Sequence, residues 1–184
     1  VFSGVGKTNE EINYAINKKI LLINAESKSE IEEINKIAKR KKKIVQVGIR
    51  LNPNTDAKTL KQISTGKSEN KFGVNNKVFF ELVNYCKSSK NINLQCLSVH
   101  IGSQILDYKP YEKMLKSISN TMNKTNHKFK FVDLGGGMGI AYDNKVKKLN
   151  YKKYNLAIKN FLKKHDTKII FEPGRSIIGN TGTL

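Results

Sequence analysis

Phe129-Lys130-Phe131-Val132-Asp133-Leu134-Gly135-Gly136-Gly137-Met138-Gly139 is the stretch on which the reading of this chain turns. A short, mostly apolar run passes directly into three successive glycines. Continuous apolar strands of this kind belong to parallel sheets covered by helices, not to half-solvated antiparallel ones. Glycine costs chain entropy, so three in a row after a buried strand mark backbone that approaches something closely or takes positive φ. The amides of such a bend form a nest for an anion. A plain turn accounts for the same residues less fully, and a phosphate cradle is the favoured reading.

The pattern recurs on either side. The apolar run 94–101 enters His100-Ile101-Gly102-Ser103-Gln104, and the run 168–171 enters Glu172-Pro173-Gly174-Arg175. His100, Gly135 and Glu172 stand 35 and 37 residues apart, room for one strand–loop–helix–loop unit per step. In parallel α/β proteins the carboxyl ends of the strands share one edge. A histidine, a glycine bend, a carboxylate and an arginine are therefore expected to line one pocket.

Strand and helix periodicities alternate along the whole chain. Strands are expected over 1–5, 20–25, 44–51, 94–101, 129–134 and 168–171, and helices over 9–18, 30–40, 77–88, 108–122 and 151–164. Thr8 with Glu11, and Ser29 with Glu32, have capping-box spacing at the first two helices. Six βα-type steps suit either a doubly wound sheet or a (β/α)₈ barrel. Polar clusters after nearly every strand favour the barrel, of which six units are only part. Residues 1–184 read as one domain, with no internal repeat, linker or boundary. The chain opens without methionine on Val1-Phe2-Ser3-Gly4 and is expected to be an internal piece of a longer protein.

Composition narrows the classes. The chain carries 34 Lys and Arg against 15 Asp and Glu, a formal charge of +19, which raises nucleic acid as a partner. Yet the excess is almost all lysine, spread over every helix; arginine occurs only at Arg40, Arg50 and Arg175. Nucleic-acid surfaces cluster their charge and use arginine for bidentate contacts. The dense run 39–43 closes a helix, where cations suit the negative dipole end. A basic nucleic-acid-binding module is thus the weaker alternative. No run approaches the ~18 apolar residues of a membrane span, and no basic start leads into a long apolar segment. Cys86 and Cys96 provide neither a disulfide framework nor metal spacing, and read as buried thiols in a reducing, cytoplasmic setting.

Two phosphate-loop look-alikes fail. Gly6-Lys7-Thr8 and Gly66-Lys67-Ser68 need a glycine five positions earlier, where Val1 and Lys61 stand. The dinucleotide fingerprint also fails, since its third glycine would fall on Ile140. His100 at a strand end reads alone as a satisfied rim residue; beside Gly102 and Ser103 it has space and a hydroxyl suited to a phosphate oxygen. Glu172, ending an apolar strand, needs a partner. Either it pairs with Arg175, or the two meet different parts of one ligand, the carboxylate a protonated ring nitrogen and the guanidinium an anionic oxygen. Pyridoxal phosphate has both features.

Ile63-Ser64-Thr65-Gly66 with Asn70-Lys71-Phe72-Gly73, the His100–Gln104 cluster, Asp133 through Ile140, and Glu172 through Asn180 together resemble the diaminopimelate decarboxylase family, pyridoxal-phosphate enzymes with an alanine-racemase-like barrel. The related ornithine and arginine decarboxylases share the His-x-Gly-Ser, Gly-Gly-Gly and Glu-Pro-Gly-Arg elements and stand as the nearer alternative. The resemblance implies a partial (β/α)₈ TIM barrel, lacking the first strands and the carboxyl-terminal β-domain. It implies loss of CO₂ from meso-diaminopimelate to give L-lysine. His100 is then expected to stack on the cofactor ring, Ser103 and the amides of Gly135, Gly136 and Gly137 to hold the phosphate, and Glu172 to meet the pyridine nitrogen. Pro173 and Gly174 shape that corner, Arg175 binds phosphate or a substrate carboxylate, and Arg50 steadies the pocket from below. The family's cofactor-anchoring lysine and catalytic cysteine would fall outside these residues, so the 184 residues alone are expected to be inactive. The resemblance implies a cytoplasmic homodimer acting on a small molecule, without nucleic acid, membrane or metal.

Overall fold

In the computed structural model, residues 1–55, 72–142 and 148–182 are described. Helix α1 (Asn9–Asn17) is followed by strand β1 (Ile23–Ala25), α2 (Lys28–Arg40) and β2 (Val45–Arg50). Then come α3 (Asn76–Ser88), β3 (Ile92–Ser98), α4 (Lys109–Thr125), β4 (Phe131–Asp133), α5 (Tyr151–Leu162), β5 (Lys168–Ile170) and the short α6 (Arg175–Ile178). The motif at 63–66, residues 70 and 71 of that at 70–73 and the look-alike at 66–68 lie outside the described residues.

The five strands are all parallel and lie in the order β1-β2-β3-β4-β5. Doubly wound sheets reverse strand order at a switch point; this sheet never does, which is the winding of a barrel. Side chains confirm the curl. Asn24 on β1 donates through Nδ2 to Asp133 Oδ2 on β4 at 2.9 Å. Three strand spacings of a flat sheet would separate those strands by about 14 Å, so the sheet must bend round to bring them together.

Each strand divides its side chains between two surfaces. Ile23, Ala25, Val47, Ile49, Leu97 and Val132 pack outward against helix residues such as Ile12, Ile31, Ile34, Phe79, Leu82, Met114 and Ile118 in the main core. Leu22, Cys96 and Phe131, with Ile170 beside them, form a smaller inner cluster. Burial raises the Cys86 thiol to about 12 and pushes Cys96 up further, with Asp133 adding to the latter. Both thiols are free and buried, as structural cysteines are.

Three local expectations change. The strand expected over 1–5 shrinks to a single parallel bridge, Phe2 to Ile23, because the chain turns at Gly4 and Gly6 straight into α1. The Thr8–Glu11 capping box forms as expected. The next helix is capped instead by Ser27, whose hydroxyl accepts from the Glu30 amide, while Ser29 bonds sideways to Ser27. Strand β5 is half-exposed where Ile169 and Ile170 suggested a buried strand, since no described strand lies on its far side. Lys7, the lysine of the rejected phosphate loop, is a strut. Its side chain is 1% exposed and joins the Gly4 and Asn24 carbonyls to Glu30 Oε1 at 2.6 Å. Among the described residues no helix is long and apolar enough to cross a membrane.

Candidate active site

Strand register places the three clusters side by side. Ser98, Asp133 and Ile170 are register partners across β3, β4 and β5. His100, Gly135 and Glu172 each follow two residues later, so they emerge on one line at the carboxyl edge. Backbone bonds then knit the loops. The Glu172 amide donates to the Gly135 carbonyl at 2.9 Å, and the Gly136 amide to His100 Nδ1 at 3.2 Å. Ile105 and Gly139 exchange bonds with Gly137 and Ile105 at 2.9 and 3.0 Å.

That approach requires glycine at position 136. A Cβ there would lie 2.3 Å from the Glu172 carbonyl oxygen, inside any van der Waals contact. The Gly135 amide is bound by Asp133 Oδ1 at 2.9 Å and the Gly136 amide by His100. Of the three glycine amides, that of Gly137 has no partner among the described residues, and the Ser103 hydroxyl likewise has none.

Glu172 and Arg175 do not pair with each other. Glu172, exposed at the rim, accepts from Ser3 Oγ at 2.7 Å through Oε1. Arg175 Nη1 reaches Gln104 Oε1 at 3.4 Å and the Tyr142 hydroxyl at 3.3 Å. Gln104 also clamps Ile140, accepting from its amide at 3.2 Å and donating to its carbonyl at 2.6 Å. Arg50 ends β2 in a buried pair with Glu26 at 2.7 Å and lies over the Phe72 ring. Pro173 and Gly174 form the corner between Glu172 and α6.

Sequence reading missed Ser3, Asn24, Gln104's clamp and the role of Asp133. A signal was present for two of them: Asn24 and Asp133 are polar residues inside apolar strand runs, and buried polar groups require partners.

Two titrating groups at this edge are displaced in opposite senses. Burial, then the Glu172 charge, raises the wholly buried Asp133 carboxyl to about 6, against lowering bonds from Gly135 and Asn24. Burial, then Arg50, lowers His100 to about 4, so its imidazole is neutral at pH 7. Asp133 holds its proton more tightly folded than unfolded. Its contribution to stability is full below about pH 4 and is lost as pH rises to about 6; that of His100 is full above about 6.5 and is lost as pH falls to about 4. We expect the stability of Asp133→Asn relative to the parent to improve by about 2 kcal/mol from pH 4 to pH 6. Urea unfolding at each pH measures this, and a gap that is flat or runs the other way would contradict the assignment.

Residues 1–179 match the family described as pyridoxal-dependent decarboxylase, pyridoxal binding domain. This chain belongs to the pyridoxal-dependent decarboxylases. The diaminopimelate decarboxylases of Aquifex aeolicus and Helicobacter pylori are 37% and 40% identical to it over 187 aligned positions, covering all of this chain and 44% and 46% of theirs. The crystal structure of the Helicobacter pylori diaminopimelate decarboxylase complexed with L-lysine matches with a TM-score of 0.92 and 39% identity, over 96% of this chain and 45% of that one. The chain thus spans less than half the length of these relatives. Its sheet is part of the (β/α)₈ barrel of this family, and the family's cofactor is pyridoxal phosphate. The residue types at the carboxyl edge suit that group: an uncharged imidazole, a glycine bend, a hydroxyl, a carboxylate and a guanidinium lie on the loops that follow three neighbouring strands.

Proposed function

We propose that this chain carries much of the cofactor cradle of a decarboxylase that converts meso-diaminopimelate to L-lysine and CO₂. The observation that supports it best is the meeting of the three clusters at one rim, with Gly136 bonded to His100 and Glu172 bonded to Gly135. The names borne by relatives at 37–40% identity favour diaminopimelate as the substrate.

When bound, pyridoxal phosphate supplies an electron sink for the pair left behind as CO₂ departs. The chain's residues set its terms. Glu172 holds a proton on the ring nitrogen. His100, neutral at physiological pH, lies against the ring. Ser103 and the bend of Gly135, Gly136 and Gly137 bind the phosphate, and in the present arrangement Gly137 is the amide of the three not already engaged within the loops. Pro173 and Gly174 turn the chain so that Arg175 faces back toward an anionic oxygen of cofactor or substrate, steadied by Gln104 and Tyr142. Arg50, through Glu26, braces the neighbouring strand end. The two free, buried thiols accord with a cytoplasmic enzyme, and the family resemblance with a homodimer. On the same resemblance, residues 1–184 alone give no turnover.

The test is an assay of the intact gene product loaded with pyridoxal phosphate. CO₂ and L-lysine are expected in equal amounts from meso-diaminopimelate, with far lower kcat/KM for ornithine and arginine. A higher kcat/KM for either of those would move the assignment to that substrate; no decarboxylation of any would overturn it.

A further inference from the structure

Seven groups near the rim close a circuit of hydrogen bonds. Glu172 Oε1 accepts from Ser3 Oγ at 2.7 Å, and Ser3 Oγ accepts from Asn24 Nδ2 at 3.1 Å. The same Nδ2 donates to Asp133 Oδ2 at 2.9 Å, and Asp133 Oδ1 accepts from the Gly135 amide at 2.9 Å. The Gly135 carbonyl then accepts from the Glu172 amide at 2.9 Å. Both the backbone and the side chain of Glu172 are thereby tied to the glycine bend, the side chain by way of β1 on the opposite wall of the curled sheet.

We propose that Ser3 and Asn24, backed by Asp133, are positioning residues that aim the Glu172 carboxylate at the cofactor's ring nitrogen. This rests on the reading of Glu172 given above. Glu172 is exposed and its side chain has several rotamers, so without a fixed donor its carboxylate would sample many directions. The Ser3 bond fixes Oε1 and leaves Oε2 for a ligand. Ser3's hydroxyl proton is committed to Glu172 because Asn24 supplies the bond that Ser3 accepts. Asn24 is itself 1% exposed and cannot turn to water.

The arrangement carries a cost that packing alone does not explain. Asn24 Oδ1 is buried without a hydrogen-bond partner. It faces position 48, where a Cβ would come within 1.9 Å of it, so glycine at 48 makes the room. Buried polar groups left unsatisfied destabilise a fold, and an apolar residue at 24 would avoid the penalty. Here Nδ2 is directed to two acceptors while Oδ1 is left unpaired, as expected when a site outranks local stability. The Glu172 charge also acts on Asp133, raising its pKa from across the circuit.

The test uses the intact holoenzyme reconstituted with pyridoxal phosphate labelled with ¹⁵N at the ring. Glu172→Ala, Ser3→Ala, Ser3→Thr and Asn24→Leu are compared by the ¹⁵N chemical shift of the ring nitrogen, by kcat and KM, and by thermal midpoint. Ser3→Ala and Asn24→Leu are expected to move the ring signal part of the way toward the unprotonated position. Each should lower kcat about 10-fold with little change in KM, and Ser3→Thr, which keeps the hydroxyl, should restore the signal and kcat of the parent. If Glu172→Ala moves the signal but Ser3→Ala leaves signal and kcat unchanged, the positioning role is wrong while the reading of Glu172 stands. If Glu172→Ala does not move the signal, the reading of Glu172 fails and this inference with it. A lower thermal midpoint in Asn24→Leu with an unmoved ring signal would mark Asn24 as structural only.

Discussion

Glu172→Ala is expected to lower kcat about 10³-fold, within the range spanned by loss of a positioned acid or base, while weakening pyridoxal phosphate affinity less than about 10-fold. The separation follows from where the groups sit. On the proposed reading the phosphate is held by the glycine bend and Ser103, and Glu172 meets that bend directly through backbone atoms, its amide bonded to Gly135 and its carbonyl against Gly136, contacts that survive truncation of the side chain. The carboxylate, by contrast, is the one acidic side chain on the line formed by His100, Gly135 and Glu172. Without it a ring nitrogen at that rim loses its proton partner, and the cofactor is retained as a poorer electron sink. Glu172→Gln should behave similarly, since an amide keeps the shape but not the charge. Kinetics together with equilibrium dialysis of the cofactor measure the two effects separately. Parallel loss of turnover and cofactor would show that Glu172 holds the cofactor in place and does not tune it.

Gly136→Ala is expected to do the reverse: cofactor affinity falls at least about 100-fold, and stability falls by about 3 kcal/mol or more, the upper range for forcing atoms into a packed site. The clash is between backbones. The added Cβ would sit 2.3 Å from the Glu172 carbonyl oxygen and 3.1 Å from its carbon, and neither is the end of a flexible side chain that could swing away. Relief requires the bend and the Glu172 corner to part, which breaks the Glu172–Gly135 bond and draws the Gly136 amide from His100. Gly182→Ala is the control: among the described residues nothing lies within 4 Å of a Cβ there, so its effect should stay within about 0.5 kcal/mol. Thermal denaturation and cofactor titration check both, and a Gly136→Ala protein that binds cofactor like the parent would mean that the two loops do not need their close contact.

Much of the fold was legible because its causes are local. Apolar runs of strand length, helical spacing such as Ile31, Ile34, Ile37 and Ala38, and the Thr8–Glu11 box each act within a few residues, and the elements they mark are present apart from the strand expected over 1–5. The winding was left open between two architectures because it depends on which strands become neighbours, and only the sequential order and the Asn24–Asp133 bond decide it. The choice of Ser27 over Ser29 as cap moves the helix start by two residues, a difference that spacing alone does not resolve. At the site, the three clusters could be placed on one edge because βα units of similar length deliver strand ends to the same side. Ser3 and Asn24 could not be placed, since their partners lie 169 and 109 residues away across the curl of the sheet. The burial expected of Ile169 and Ile170 failed for a related reason: an apolar run specifies a preference for cover, and the described strands provide a neighbour on one side only.

A crystal structure of the intact protein with pyridoxal phosphate bound tests the shared rim most directly. The phosphate is expected on the Gly135–Gly136–Gly137 bend and Ser103, the ring against His100, and the ring nitrogen hydrogen-bonded to Glu172. A cofactor bound with its phosphate away from the glycine bend, or with its nitrogen facing any group other than Glu172, would contradict this placement.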